Sequence, residues 1–313
     1  MTVKDISWLW TNSLAVCDGT GLVLATRRVR FILRALAVFD SVSPLINAPR
    51  ESPLGRLIEQ RPQSVGAVIW PYQCFAWDAR TRLARICDHY SVVERLGGAI
   101  NFPVDGKLFL LDLREIREGL HVIVDQPLWF MREGQLTINL FLGDTRIYSL
   151  TFSLFDQGNE LAAFVGGIQG RDVEGALDQY RELTKASHGM RPRDLLIEIF
   201  RMLCATLGVS HIFAVSDEYR HHRGHYFGQA AKKKFFANYN EIWADRGGVA
   251  LNPMFYRLDV DAKQRDVATL PAKKRGLYRR RYDLLKALKQ QVRANYNGLG
   301  NESTLERHVN ENR

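Results

Sequence analysis

The chain has 313 residues, 46% of them hydrophobic and 11% aromatic, which suits one large or two ordinary globular domains and excludes a disordered polymer. Its net charge of +9 is uneven: residues 223–293 carry 17 Lys and Arg against 6 Asp and Glu, the remainder 26 against 28. A basic last third attracts nucleic acid, anionic lipid headgroups or phosphorylated small molecules, although most charge runs are solvated surface.

No stretch approaches the roughly 18 consecutive apolar residues that a membrane-spanning helix needs. Leu14 to Leu24 is interrupted by Asp18 and two glycines, and Val29 to Phe39 by Arg30 and Arg34. The N-terminus has no secretory pattern, since Asp5 follows Lys4 and no apolar run leads to a cleavage site. Cys17, Cys74, Cys87 and Cys204 lie far apart without a C-x-x-C pair, so they read as reduced core residues. The expected location is the cytoplasm, with peripheral contact at the inner membrane as a further expectation.

Residues 1–20 give little signal. Leu22 to Phe39 reads as a helix, with Arg27, Arg30 and Arg34 on one face and Leu24, Phe31, Ile32, Ala35, Leu36 and Phe39 opposite. Arg28 interrupts the apolar arc. Such a helix can lie on a membrane, but more often it is the outer helix of a domain. Residues 40–66 hold Pro44, Pro49, Pro53 and Pro62 and read as a chain of surface turns. Ala79 to Leu96 is helical, with Leu83, Ile86, Tyr90 and Val93 on one face and Gly97-Gly98 as the stop.

From Leu120 the period changes. His121–Val124, Leu128–Met131, Leu136–Leu142, Arg146–Phe155 and Leu161–Ile168 read as strands separated by short Gly, Asp and Asn turns, which predicts an antiparallel meander. Helices follow at Val173–Ala186 and Pro192–Leu207, a strand at Val209–Ser216, and helices at Lys232–Arg246 and Lys274–Tyr296. The fold class is α+β: a meander sheet flanked by helices, with GNAT-like order and a helical, basic C-terminal third. The expected divisions are an N-terminal helix and Pro-rich segment (1–66), a main α+β domain (67–297) and a polar tail (298–313).

Three constellations could carry chemistry. Lys185, His188, Gly189, Arg191 and Arg193 surround a helix start, where free N–H groups and the helix dipole suit a phosphate; the alternative is an ordinary helix entry. Ser216, Asp217 and His221 follow the last strand and suggest a polar cleft. Asp217, His221 and His225 are spaced to share a helical face, yet no H-E-x-x-H or cysteine partner supports a metal, and none is assigned. Lys273, Lys274, Arg275, Arg279, Arg280 and Arg281 crowd the start of the last helix, opposing its dipole and calling for a counter-charge.

Several runs together resemble one family. Gly166-Gly167-Ile168-Gln169-Gly170, Thr184-Lys185-x-x-His188-Gly189-x-Arg191-Pro192, Ala214-Val215-Ser216, Asn238-Tyr239-Asn240 with Trp243, and Lys274-Arg275-x-x-Tyr278-Arg279-Arg280-Arg281-Tyr282 are similar to the VirK/YbjX family of enterobacterial proteins. The match runs in order over roughly residues 25 to 295, and departs from the pattern at Asp217, where Asn is expected. The resemblance implies a link to virulence, envelope stress, tolerance of antimicrobial peptides and, in some members, the DNA damage response. No biochemical activity defines the family, so it assigns no catalytic residue.

Two functions remain open. One is a regulatory or membrane-associated adaptor that meets anionic lipid or a protein partner through its basic third; nucleic acid is a lesser candidate. The alternative is a GNAT-like acyltransferase with a CoA thioester as donor, the one reading that implies a cofactor. Its basis is the meander, a strand ending near Gly170, a helix start fit for pyrophosphate, and a further strand. The extra helix at Val173–Ala186 and the missing Q/R-x-x-G-x-G/A signature count against it.

Overall fold

The computed structural model describes residues 2–171, 175–227 and 237–299. Four helices open the chain: α1 (Val3–Val16), α2 (Leu22–Ala37), α3 (Phe39–Ile46) and α4 (Pro53–Gln60), followed by a 3-10 helix at Pro62–Val68. The stretch expected as surface turns is therefore helical and substantially buried. Proline misled because Pro53 and Pro62 occupy first-turn positions, where a missing N–H costs nothing, and Ser52 caps the Gly55 N–H of α4.

Helix α5 (Ala79–Leu96) matches its expected span residue for residue, with Asp78 as N-cap. The sheet follows: β1 (Lys107–Asp112), β2 (Leu120–Asp125), β3 (Leu136–Leu142), β4 (Thr145–Gln157) and β5 (Glu160–Gly170). Then come α6 (Ala176–Ala186), α7 (Pro192–Leu207), β6 (His211–Val215), α8 (Tyr239–Asp245), β7 (Val249–Ala250), β8 (Phe255–Leu258) and α9 (Ala272–Leu299). Leu128–Phe130 is a 3-10 turn rather than a strand; its place in the meander belongs to β1, which sequence reading passed over. The span expected as a helix from Lys232 to Arg246 lies partly outside the described residues, and within them α8 begins at Tyr239 with Asn238 as its cap; the polar tail from residue 300 also lies outside them.

All eight strands form one sheet in the order β1-β2-β3-β4-β5-β6-β8-β7. Each pair is antiparallel except β5 and β6, which run parallel through the helical crossover of α6 and α7. Alternation gives the sheet two different faces. Ile138, Leu140, Leu150, Phe152 and Leu154 are buried on the face toward α7, where the Phe152 and Phe200 rings lie 4.9 Å apart. Thr137, Asn139, Ser149, Thr151 and Ser153 are equally buried on the opposite face. A second cluster, including Leu9, Phe31, Val42, Leu57, Val68 and Leu83, packs the N-terminal helices onto α5.

Candidate functional site

The parallel pair marks the candidate site. Register between β5 and β6 runs only from Ala162↔His211 to Val165↔Ala214, whereas β5 continues to Gly170 in pairing with β4. Beyond Val165 the edge of Gly166–Gly170 that faces away from β4 has no described strand paired to it, because β6 ends at Val215. In α/β sheets ligands bind outside the carboxyl ends of parallel strands, and this end of β5 is the counterpart here.

Tyr239, from the start of α8, reaches this edge. Its hydroxyl accepts the Ile168 N–H at 2.7 Å and donates to the Ile168 carbonyl at 2.9 Å, so both edge groups are satisfied. Trp243 anchors the same helix through its indole N–H on the Val215 carbonyl at 2.8 Å.

Glu133 lies across the carboxyl end of β5. A Cβ on Gly166 would overlap the Glu133 carbonyl and one on Gly167 its carboxylate, so only glycine permits this approach. Gln169 donates to both carboxylate oxygens at 3.3 Å. Burial raises the Glu133 pKa to about 8, against the opposing pull of the Arg220 charge and the Gln169 hydrogen bond. Gln73, buried with φ of 54°, ties this loop to β5: its N–H bonds the Arg132 carbonyl at 2.7 Å and its side-chain amide reaches Phe164 at 3.3 Å. A left-handed non-glycine residue fixed in this way is a feature of sites where geometry is held under strain.

The floor beside Glu133 is polar. Thr151 pairs with Gly167 and Ser149 with Gln169, and Thr137 and Asn139 continue the same face on β3. Hydrogen bonds join Thr137 to Thr151 at 3.3 Å, Ser149 to Asn139 at 2.8 Å and Asn139 to Asp125 at 2.8 Å. Arg146 closes this end on Asp125 at 2.9 Å, with its guanidinium over the rings of Trp129 and Phe141. A row of hydroxyls and amides inside a sheet is stable only when so paired.

The Ser216 segment forms the far wall. Ser216 is buried and bonds the Pro253 carbonyl. Asp217 accepts the Tyr239 N–H at 3.1 Å, Arg223 at 2.5 Å and Arg220 at 3.2 Å, so it is a structural counter-ion. Residues 217–227 form short 3-10 turns, so the helical spacing expected for Asp217, His221 and His225 does not arise. His221 and His222 are each driven down to about pKa 3, chiefly by burial, with cationic neighbours adding to it. No cluster of three metal-ligating side chains occurs among the described residues.

The helix start at 185–193 is already supplied with anions. Arg191 and Arg193 bond the buried Asp194 at 2.9 and 3.2 Å, and both reach Asp245, at 3.2 and 3.6 Å. His188 has φ of 52° and Gly189 φ of 79°, forming the turn between α6 and α7; Lys185 stands exposed in the last turn of α6. Arg281 crosses from α9 and donates twice to the His188 carbonyl, at 2.9 and 3.1 Å. Arg275 donates to the Leu270 and Ala268 carbonyls. Lys273, Lys274, Arg279 and Arg280 remain exposed. Between α7, the end of α8 and α9 runs a groove of about 880 Å³, where cations and carboxylates pair, as in Lys289–Asp261 at 2.5 Å and Arg201–Glu198 at 3.0 Å.

Sequence reading brought out Ser216, Asp217 and His221 but passed over Glu133 and Tyr239 as site residues. Glu133 sits in a turn that looked like punctuation. The signal available was Gly166-Gly167 in mid-strand, since paired glycines there mark a close approach by something else.

The family described as "Protein of unknown function (DUF535)" matches residues 22–294. Escherichia coli (strain K12) "Uncharacterized protein YbjX" is 27% identical over 278 residues, spanning 87% of this chain and 84% of the relative. "Membrane protein LapB" of Mannheimia haemolytica is 33% identical over 207 residues, 63% of this chain and 85% of that protein. An uncharacterised Haemophilus influenzae protein is 29% identical over 159 residues, about half of each chain. The chain belongs to the DUF535 family, in accord with its resemblance to VirK/YbjX proteins.

Proposed function

We propose that this DUF535 protein is an acyltransferase, moving an acyl group from a CoA thioester to a polar nucleophile at the carboxyl ends of β5 and β6. The observation that carries the reading is the Glu133 carboxyl, held across Gly166 and Gly167 at the carboxyl end of β5 with its pKa raised to about 8. Such a carboxyl is mostly protonated at neutral pH and becomes a base able to take a proton from an attacking amine or hydroxyl as the pH passes about 8. Gln169 orients the carboxylate.

The order of elements supports the same reading. A five-strand antiparallel meander, a helical crossover to a parallel strand and a closing hairpin are the order expected of a GNAT-like acyltransferase, with α6 as an extra helix in the crossover. The thioester supplies an activated acyl group. On this chain the open edge of Gly166–Gly170 and the start of α7 are the places that fit such a donor. The fit is partial, because Tyr239 bonds the Ile168 edge and Asp194 and Asp245 hold Arg191 and Arg193.

The test is release of free thiol from acetyl-CoA in the presence of a panel of primary amines and alcohols, followed across pH. Wild-type release should exceed the protein-free rate and climb through about pH 8 as Glu133 ionises. Glu133→Gln should lose that limb while still binding acetyl-CoA. Release with an unchanged profile in the variant removes Glu133 from the role.

The adaptor reading rests on a different observation: Lys273, Lys274, Arg279 and Arg280 are exposed on α9. They would meet anionic lipid or an acidic protein partner, and the implied links to virulence and envelope stress belong with this reading. Binding through them should collapse as salt rises.

A further inference from the structure

Large apolar side chains are exposed unevenly on this protein. Of the fifteen such residues found among the described residues, eight fall in the first two helices: Val3, Ile6, Trp10, Leu14, Leu22, Val23, Val29 and Leu33. Val3, Ile6, Trp10 and Leu14 recur at intervals of three and four and form one stripe on α1. Leu22, Val29 and Leu33 form a second on α2, with Leu22 89% and Leu33 61% exposed. The helices do not need these residues for packing, since Leu9, Phe31 and Ala35 face inward and are fully buried.

Charge borders the stripes on one side. Arg27, Arg30 and Arg34 follow Val23 along the adjacent face of α2, all exposed, and Lys4 is exposed on α1. Asp5 and Asp18 are the only carboxylates in this hairpin, and Asp5 closes the capping box of Thr2. Arg28, which broke the apolar arc in sequence, points elsewhere: it donates to the Cys17 carbonyl at 2.9 and 3.2 Å and so fixes α2 to the end of α1. Together α1 and α2 expose aliphatic side chains, an indole, and a row of long cationic side chains able to reach past an apolar boundary.

We infer that the α1–α2 face is a docking surface for an anionic lipid bilayer. Charge decides between occupants. A second copy of this face would bring no row of carboxylates to meet Arg27, Arg30 and Arg34, since Asp5 and Asp18 are the only ones in this hairpin, whereas anionic headgroups neutralise the row while acyl chains take up the stripe. The proposal does not rest on acyl transfer. It also places lipid contact at the opposite end of the sequence from the basic start of α9.

Co-sedimentation of the full-length protein with vesicles tests it. Wild type should sediment with phosphatidylglycerol-containing vesicles and not with pure phosphatidylcholine. Trp10→Glu with Leu33→Glu, both at exposed positions, should raise the lipid needed for half-binding about ten-fold or more, with unchanged circular dichroism. Lys273→Ala with Lys274→Ala, Arg279→Ala and Arg280→Ala should leave binding within about two-fold, since those cations lie outside the docking face. Equal binding by the double-Glu variant overturns the proposal. So does a wild-type dimer that the same variant converts to monomer, which would make the face a self-interface.

Discussion

Histidine 89 shows how firmly single side chains are committed in this protein. It is buried on α5, and its Nδ1 accepts the Leu154 N–H at 3.0 Å where β4 runs past its pairing with β3. Burial drives its pKa from 6.5 to about 3. The folded state therefore holds fewer protons than the unfolded chain between those values, so stability falls as pH drops from about 6.5 toward 3. His221 and His222 act in the same sense over the same window. His89→Asn keeps an acceptor near the Leu154 N–H but removes one titrating group. Denaturant unfolding at stepwise pH should show wild type losing stability more steeply than the variant from pH 7 to 4; parallel curves would contradict the assignment. None of this was legible in sequence. Histidine occurs there as a letter in an amphipathic helix, and only the sheet behind it determines that it must stay neutral.

At the scale of elements, helices with clear period and stop signals were legible: α5 and α7 stand where Asp78, Gly97, Pro192 and Gly208 place them. Strands β3 to β5 were legible through turn residues. The helices α3 and α4 were hidden by prolines, and β1 by Asp112 and Lys107 at its ends. The site was hardly legible, because it depends on where β5 and β6 stop pairing, and pairing register is not written in either strand alone. The element that meets the unpaired edge is α8. Tyr239→Phe removes the hydroxyl that serves both Ile168 groups and leaves a buried N–H and carbonyl without a partner. The expected cost is about 1–3 kcal/mol in denaturant unfolding, with amide exchange at Ile168 accelerated. A variant as stable as wild type, with Ile168 still protected, would mean that other groups satisfy that edge.

For the whole molecule, the basic balance of the last third divides in two. Arg275 and Arg281 donate to carbonyls of the chain itself, whereas Lys273, Lys274, Arg279 and Arg280 stay exposed. Composition reports both groups as one surface field, though the first act as fold contacts. No described helix is long and apolar enough to cross a membrane. The sheet presents an apolar face to α7 and a polar face to Glu133, and that asymmetry is the basis for placing chemistry on one side only. Two surfaces then carry separate proposals: the site at β5 and β6, and the exposed face of α1 and α2.

Calorimetric titration of acetyl-CoA into the full-length protein, at about 0.15 M and again at about 1 M salt, bears most directly on the acyl-transfer reading. The account predicts a saturable single-site isotherm at both salts, because a donor held by a preformed site loses little to screening. Absence of binding at either salt, or binding that vanishes at the higher one, would contradict it and leave only polyanion attraction to a basic protein.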